Sequence, residues 1–138
     1  MGKNLIRIEA IVNKPIDQVW EMWTKPEHIT QWCFASDDWH APNSTSDLKI
    51  GGKLNTRMEA KDGSFSFDFW GIYNDIKPNE KLGITLGDDR KWDTFFTVVE
   101  GGVNVIEEFE AENENPIEMQ EAGWQMILNN FKKYAESH

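Results

Sequence analysis

The side chains that could do acid–base chemistry begin with a short polar segment around Trp39. Asp37, Asp38 and His40 lie within four residues of one another, and an Asp–His pair can act as a general base and the group that orients it. In a segment rich in Ser, Asn and Pro, however, Asp and His more commonly form turns and contact solvent. We therefore predict no catalytic residue here.

A second acidic pair, Glu107 and Glu108, lies in a strand-like segment. Neighbouring residues of a strand point to opposite faces of the sheet, so these two carboxylates cannot act as a dyad. If Glu107 follows Val105 toward the core, its buried carboxylate needs a partner, and the candidates are Arg57 and Arg90.

Metal and phosphate chemistry have little support in the sequence. The histidines are His28, His40 and His138, the single cysteine is Cys33, and no ligand spacing such as C-x-x-C or H-E-x-x-H is present. No glycine-rich phosphate loop occurs either, so we predict neither a metal nor a cofactor. Cys33 has no cation nearby in sequence and is expected to be a buried, unreactive thiol.

Charge and length restrict the class of protein. The chain has 138 residues, which suits one domain over residues 1–138. With 14 Lys and Arg against 24 Asp and Glu, its formal charge is −10, which disfavours nucleic acid as a partner. One cysteine cannot form an internal disulfide, and no apolar run suits a signal peptide or a membrane span. We expect a cytoplasmic protein, and the sequence leaves its oligomeric state open.

The N-terminal part predicts one strand and two short helices. Residues 4–12 alternate with the period of a half-buried strand, and the even-numbered side should face the core. Pro15 and Pro26 each suit the first turn of a helix. Ile16, Val19, Trp20 and Trp23 recur at helical spacing on one face of the first of these helices.

Residues 33–47 are polar and predict a loop, and strand patterns follow it. Gly-containing turns join the strands closely enough to require antiparallel neighbours. The predicted strands are residues 45–50, 53–60, 65–76, 81–86, 93–99 and 103–110.

A long amphipathic helix is predicted at the C-terminal end. Asn115 suits the N-cap, Pro116 the first helical position, and Glu118 could reach back to the backbone. The apolar stripe of this helix consists of Trp124, Ile127, Leu128, Phe131, Tyr134 and Ala135. The fold class is therefore α+β: a curved antiparallel sheet wrapped around a long C-terminal helix, with two short helices after the first strand.

Short motifs spread over nearly the whole chain carry a family resemblance. They are Pro15, Val19-Trp20, Trp23-Thr24, Pro26-Glu27-His28, Gln31-Trp32, Asp47-Leu48, Gly51-Gly52-Lys53, Asp62-Gly63, Phe69, Gly71, Ile76, Pro78, Leu82, Gly123-Trp124 and Leu128. In order and spacing they resemble the START-like (SRPBCC, helix-grip) superfamily, and within it the homologues of the activator of the 90-kDa heat-shock protein ATPase. The resemblance implies a bacterial-type, single-domain member.

In the helix-grip arrangement the sheet and the last helix enclose a cavity, and alternation suggests which residues form its walls. Leu54, Thr56 and Met58 share one side of a strand, and Phe65, Phe67 and Phe69 share one side of another. Large aromatic and apolar residues complete the predicted ligand-binding set: Trp32, Phe34, Trp39, Trp92, Phe96, Trp124 and Leu128.

The sequence leaves three functions open. Many aromatics and few convergent titratable groups favour a binding protein for a small hydrophobic or amphipathic molecule. The alternative is a protein that interacts with a chaperone or stress-response partner through an exposed apolar patch, for which Trp70 and Ile72 are the candidates. The third is a cyclase- or hydrolase-like enzyme, which would need an acid–base pair facing the cavity.

Overall fold

A computed structural model describes residues 5–138. In chain order the elements are β1 Leu5–Val12, α1 Ile16–Thr24, α2 Pro26–Ile29, β2 Trp39–Ser46, β3 Lys53–Ala60, β4 Ser66–Lys77, β5 Lys81–Leu86, β6 Lys91–Val99, β7 Gly102–Glu110 and α3 Ile117–Glu136. The predicted first strand is confirmed from Leu5 onward, while Asn4 lies outside the described residues.

The seven described strands form one antiparallel sheet in the order β1-β7-β6-β5-β4-β3-β2. Successive hairpins generate β2 to β7, and β1 then pairs along β7, with Leu5 opposite Glu110 and Val12 opposite Val103. A register shift between Tyr73 and Asp75 interrupts the pairing of β4 with β5. Such an irregularity bends a strand and increases its twist, which helps the sheet to curve around α3. The predicted helix-grip fold is confirmed.

The apolar stripe of α3 covers the concave side of the sheet. Leu128, Phe131 and Ala135 have no exposed surface, and the helix packs against β1 and α1. On α1, Val19 and Trp23 are buried as predicted. Among the described helices, none is long and apolar enough to cross a bilayer.

The prediction for residues 33–50 was wrong in detail. β2 occupies residues 39–46, inside the predicted loop, and the predicted strand at 45–50 is mostly a turn. β2 is an edge strand that pairs only with β3, and its register shifts between His40 and Asn43, around Pro42. Edge strands tolerate proline and polar residues because one side of the backbone faces solvent, so the alternation that marks inner strands is missing.

The predicted start of α3 was also wrong in detail. Pro116 has an extended backbone and precedes the helix, and no side chain caps the N-terminus of α3. The side chain of Asn115 instead donates to Glu112. Gln120 holds the preceding loop: its Oε1 accepts from the Glu112 backbone N–H at 2.8 Å, and its Nε2 donates to the Asn115 carbonyl at 2.7 Å.

Candidate functional site: an apolar cavity with a buried carboxyl group

A cavity of about 340 Å³ lies between the concave face of the sheet and α3. Its lining is mostly apolar and comes from α1, α2, the strands β3 to β7 and α3. Exposed lining residues, Phe67, Asn115 and Met119, mark its rim. The lining residues are Trp23, Ile29, Trp32, Cys33, Leu54, Thr56, Met58, Phe67, Phe69, Tyr73, Leu82, Ile84, Arg90, Trp92, Glu107, Glu112, Asn115, Met119, Gln120, Gly123, Trp124 and Ile127.

Eight of the thirteen predicted residues line this cavity. Strand alternation brings Leu54, Thr56 and Met58 to the same buried face of β3. The other five are Trp32, Phe67, Phe69, Trp92 and Trp124. Their role in binding a ligand stays a prediction.

Trp39 and Phe65 lie outside the cavity wall. Their rings meet edge to face, with centroids 6.1 Å apart, and both also contact the ring of Phe67. This small aromatic cluster sits at the β2 edge of the sheet, where Phe65 keeps 53% of its surface exposed. Phe65 precedes β4, so the alternation that places Phe67 and Phe69 does not extend to it.

Phe34, Phe96 and Leu128 also lie outside the wall, because they belong to the packed core. Phe96 is buried under α1 and meets the ring of Trp20 edge to face at 5.4 Å. Leu128 is fully buried, and Phe34 packs partly buried against the core.

Four aromatic rings form a continuous wall beside α3. Trp124 stacks on Phe109, with centroids 3.8 Å apart and planes 14° apart. It also meets Trp92 edge to face at 5.3 Å and Phe69 at 5.9 Å. Phe109 was absent from the predicted set although it alternates with Val105 on β7, and it supports the wall from behind. These contacts hold the indole of Trp124 in one orientation against the cavity.

Glu107 is the buried acidic group of the cavity. It follows Val103 and Val105 inward on β7 and is only 3% exposed. The indole N–H of Trp92 donates to its Oε1 at 2.9 Å. Within residues 5–138, Oε2 has no comparable hydrogen bond, and it is not sealed from the cavity space either.

The predicted arginine partners of Glu107 were wrong. Arg90 lines the cavity, but its guanidinium contacts Asp88 at 2.7 Å and the Glu110 carbonyl at 3.2 Å. Arg57 faces the other side of β3, where its partners include Glu59 and Asp68. The hydrogen-bond partner of Glu107 is therefore a neutral indole N–H, and neither arginine neutralises the charge of its carboxylate form.

Burial raises the pKa of the Glu107 carboxyl from 4.5 to about 8, and the hydrogen bond from Trp92 opposes only part of this shift. Desolvation disfavours the charged form, so the group retains its proton at neutral pH. Burial also raises the pKa of the neighbouring Cys33 thiol to about 12, with a further contribution from Glu107. This agrees with the predicted unreactive thiol.

The raised pKa of Glu107 predicts a pH dependence of stability. The folded state holds the proton more tightly than the unfolded chain, so this stabilisation is complete below pH 4.5 and is lost as the pH rises toward about 8. Relative to Glu107→Gln, the free energy of unfolding of the wild type should fall by at most about 1.4 kcal/mol per pH unit in that window. Urea denaturation at several pH values measures it, and parallel curves for the two proteins would contradict the shift.

The polar segment around Trp39 does not reach the cavity. Asp37 is exposed, and His40 Nε2 lies 3.5 Å from Glu59 Oε1 on the partly exposed surface of the sheet. Asp38 accepts a hydrogen bond from Ser36. The structure thus keeps this acidic and histidine cluster out of the site. In the portion of the chain described, no group of three His, Cys, Asp or Glu side chains could hold a metal ion.

Several lining residues were missed by the sequence analysis. Tyr73 carries the alternation of Phe67 and Phe69 further along β4, so the pattern could have found it. Its hydroxyl lies 2.7 Å from Ser46 Oγ. No sequence pattern indicated Gln120, because its burial depends on hydrogen bonds to the loop that precedes α3.

A curved seven-stranded antiparallel sheet closed by a C-terminal helix over an apolar cavity defines a START-like, helix-grip protein. The chain belongs to the family described as Activator of Hsp90 ATPase homolog 1-like protein, which it matches over residues 13–136.

Solved structures agree with this assignment. An AHSA1-like protein from Aeromonas hydrophila is 41% identical, with 97% of this chain and 93% of that chain covered and a TM-score of 0.91. Chr148 from Cytophaga hutchinsonii is 45% identical, with 98% and 92% covered and a TM-score of 0.80. Protein NE0264 from Nitrosomonas europaea shares the fold at 16% identity, with 96% and 94% covered and a TM-score of 0.82. The comparison with curated proteins gives no match.

Proposed function

We propose that this protein binds a small hydrophobic or amphipathic molecule in the cavity between the sheet and α3, and that it does so in the cytoplasm. The observation that carries the proposal is the cavity of about 340 Å³, open at a rim of exposed side chains and lined mainly by aromatic and aliphatic groups. Small-molecule sites are typically concave, largely preformed and apolar, with a few polar groups that set orientation.

The size of the cavity limits the ligand. Filling 340 Å³ to the density of a protein interior takes about 250 Å³ of molecular volume, or roughly fifteen non-hydrogen atoms. A fused bicyclic compound or a medium-length alkyl chain fits inside this volume, and a slightly larger ligand can extend through the open rim. The aromatic wall formed by Phe69, Trp92 and Trp124 offers flat surfaces against which a planar ligand can pack.

Binding of the neutral dye N-phenyl-1-naphthylamine, followed by tryptophan quenching, tests the proposal. Phe67→Ala removes a rim ring and should weaken binding severalfold, and Trp124→Ala, which removes a wall, should weaken it more. Phe65→Ala is the matched control, because this exposed ring lies just outside the lining. Circular dichroism verifies folding of each variant.

Absence of saturable binding by the wild type would count against a ligand-binding role. Equal losses in Phe65→Ala and Phe67→Ala would mean that the dye binds the surface cluster at the β2 edge instead. Native mass spectrometry of protein purified from its own source then seeks the natural ligand directly.

A second candidate function is interaction with a chaperone, which the family name suggests. The observation that favours this candidate is the exposed indole of Trp70 on the outer face of the sheet. Trp70 keeps 38% of its surface exposed, and the ammonium group of Lys53 lies 4.7 Å from the centroid of its ring. A pull-down that recovers no chaperone, together with an unchanged ATPase rate of the partner, would remove this candidate.

An enzymatic role has weaker support. The cavity presents Glu107 as a proton donor, but the Cys33 thiol that its charge influences is buried and unreactive. General acid–base chemistry needs a second group within reach of the substrate. Ligand binding therefore accounts for more of the observed lining than catalysis does.

A further inference from the structure

We propose that Glu107 selects ligands whose buried end carries an uncharged hydrogen-bond acceptor, such as a ketone carbonyl, and that it rejects ligands ending in a carboxylate. This inference rests on the proposed binding function and specifies the chemical class of the ligand.

The geometry of the carboxyl group supports this selection. Oε1 is already engaged by the indole N–H of Trp92 at 2.9 Å. The remaining oxygen, Oε2, faces cavity space without a hydrogen-bond partner from the described chain. A buried polar group without a partner costs free energy, so a ligand atom that pairs with Oε2 gains affinity and orientation together.

The protonation state of Glu107 decides which kind of ligand atom can pair with Oε2. Burial keeps the carboxyl group neutral at pH 7, with a pKa of about 8. Because the indole N–H occupies Oε1, the acidic hydrogen belongs on Oε2 and points at the ligand. A protonated carboxyl group of this kind donates a hydrogen bond, and a carbonyl oxygen is its natural acceptor.

Anionic ligands meet three unfavourable conditions in the same place. A carboxylate must leave water for an apolar wall, where charge is costly. Glu112 lies in the lining with its own negative charge. The lining cation, Arg90, is already held by Asp88 and by the Glu110 carbonyl. No described group therefore stands ready to neutralise a buried anion.

Four probes of equal size, each with thirteen non-hydrogen atoms by formula, test this selection: 2-acetylnaphthalene, 2-isopropylnaphthalene, 2-naphthoate and 1-(2-naphthyl)ethylamine. Dissociation constants come from NMR titration. At pH 7 the ketone should bind at least about fivefold more tightly than the hydrocarbon, the free-energy range of one hydrogen bond. It should bind at least about tenfold more tightly than the carboxylate.

Two variants connect this preference to Glu107. Glu107→Gln keeps a donor of similar shape and should retain the preference for the ketone. Glu107→Leu removes the donor and should reverse it, because the carbonyl then loses its hydrogen bonds to water without replacement. Thermal denaturation checks that both variants fold.

Measurements at several pH values distinguish the effect of the Glu107 proton on ligand preference from the effect of the shape of the pocket. In the wild type the preference for the ketone should decline between about pH 7 and pH 9 as Glu107 ionises, whereas in Glu107→Gln it should stay constant. The other titratable or charged groups facing this space are Cys33 after α2, Tyr73 on β4, Arg90 before β6 and Glu112 after β7, and burial raises the pKa of Tyr73 above its usual value of 10. From α3 the facing side chains are uncharged, including Gln120 and Trp124, so the Gln variant isolates the contribution of Glu107.

The outcomes are distinct. If none of the four probes binds, the binding function itself fails. If all bind but the hydrocarbon equals the ketone in the wild type, or Glu107→Leu keeps the preference, the cavity binds ligands without selection by Glu107. If the ammonium ligand binds most tightly, Glu107 acts as a carboxylate counter-ion and the inference is overturned.

Discussion

Replacing Phe131 with alanine is expected to lower the free energy of unfolding by about 3–5 kcal/mol, the usual cost of removing a large buried aromatic side chain. Phe131 is fully buried. Its ring meets Trp23 edge to face at 4.8 Å and Trp32 at 4.9 Å. It therefore joins α3 to the helical segment after β1, and its removal leaves a cavity between them.

Urea denaturation measures this loss, and Met126→Ala is the matched control. Met126 lies on the same helix with 47% of its surface exposed, so its truncation should change stability by less than about 0.5 kcal/mol. Similar losses in the two variants would show that burial of the Phe131 ring is not what holds α3 in place.

Gly123→Leu is expected to abolish most dye binding while leaving the protein more stable. Gly123 lines the cavity on α3, one turn from Gln120 and Ile127. A Cβ at this position meets no atom within 4 Å, so a leucine side chain grows into free space. Leucine is also a better helix former than glycine by about 0.5–1 kcal/mol. The dissociation constant of N-phenyl-1-naphthylamine should rise at least about tenfold, a change of about 1.4 kcal/mol.

Gly123→Ala is the control for this experiment. Alanine brings the same gain in helix propensity but only one methyl group, so stability should rise while dye binding is largely retained. Unchanged binding in Gly123→Leu would show that the dye does not enter the space beside α3. Reduced stability in both variants would show that the glycine is needed for backbone approach, which its open surroundings argue against.

Regular periodicity made much of the fold predictable. Alternation assigned Leu54, Thr56 and Met58 to the inner face of β3, and helical spacing assigned Phe131 to the buried stripe of α3. In both cases one face of the element is largely apolar, so the pattern of residue types indicates the direction of burial.

The remaining parts depend on contacts between distant residues. β2 is polar because half of its hydrogen-bonding edge faces solvent, so only its pairing with β3 identifies it as a strand. The partner of Glu107 could not be predicted because an indole donor is unusual where a cation is expected. Trp92 lies opposite Phe109 in the sheet register, and only that register brings its N–H to Oε1.

The pairing of β1 with β7 has a consequence for biosynthesis. β1 can find its partner only after residues 102–110 have left the ribosome, and Leu5 must then reach Glu110. Such distant pairing carries a large loop-closure entropy and slows folding. Until then the apolar side of β1, with Ile6, Ile8 and Val12, lacks its cover, so the nascent chain is prone to aggregation during this interval.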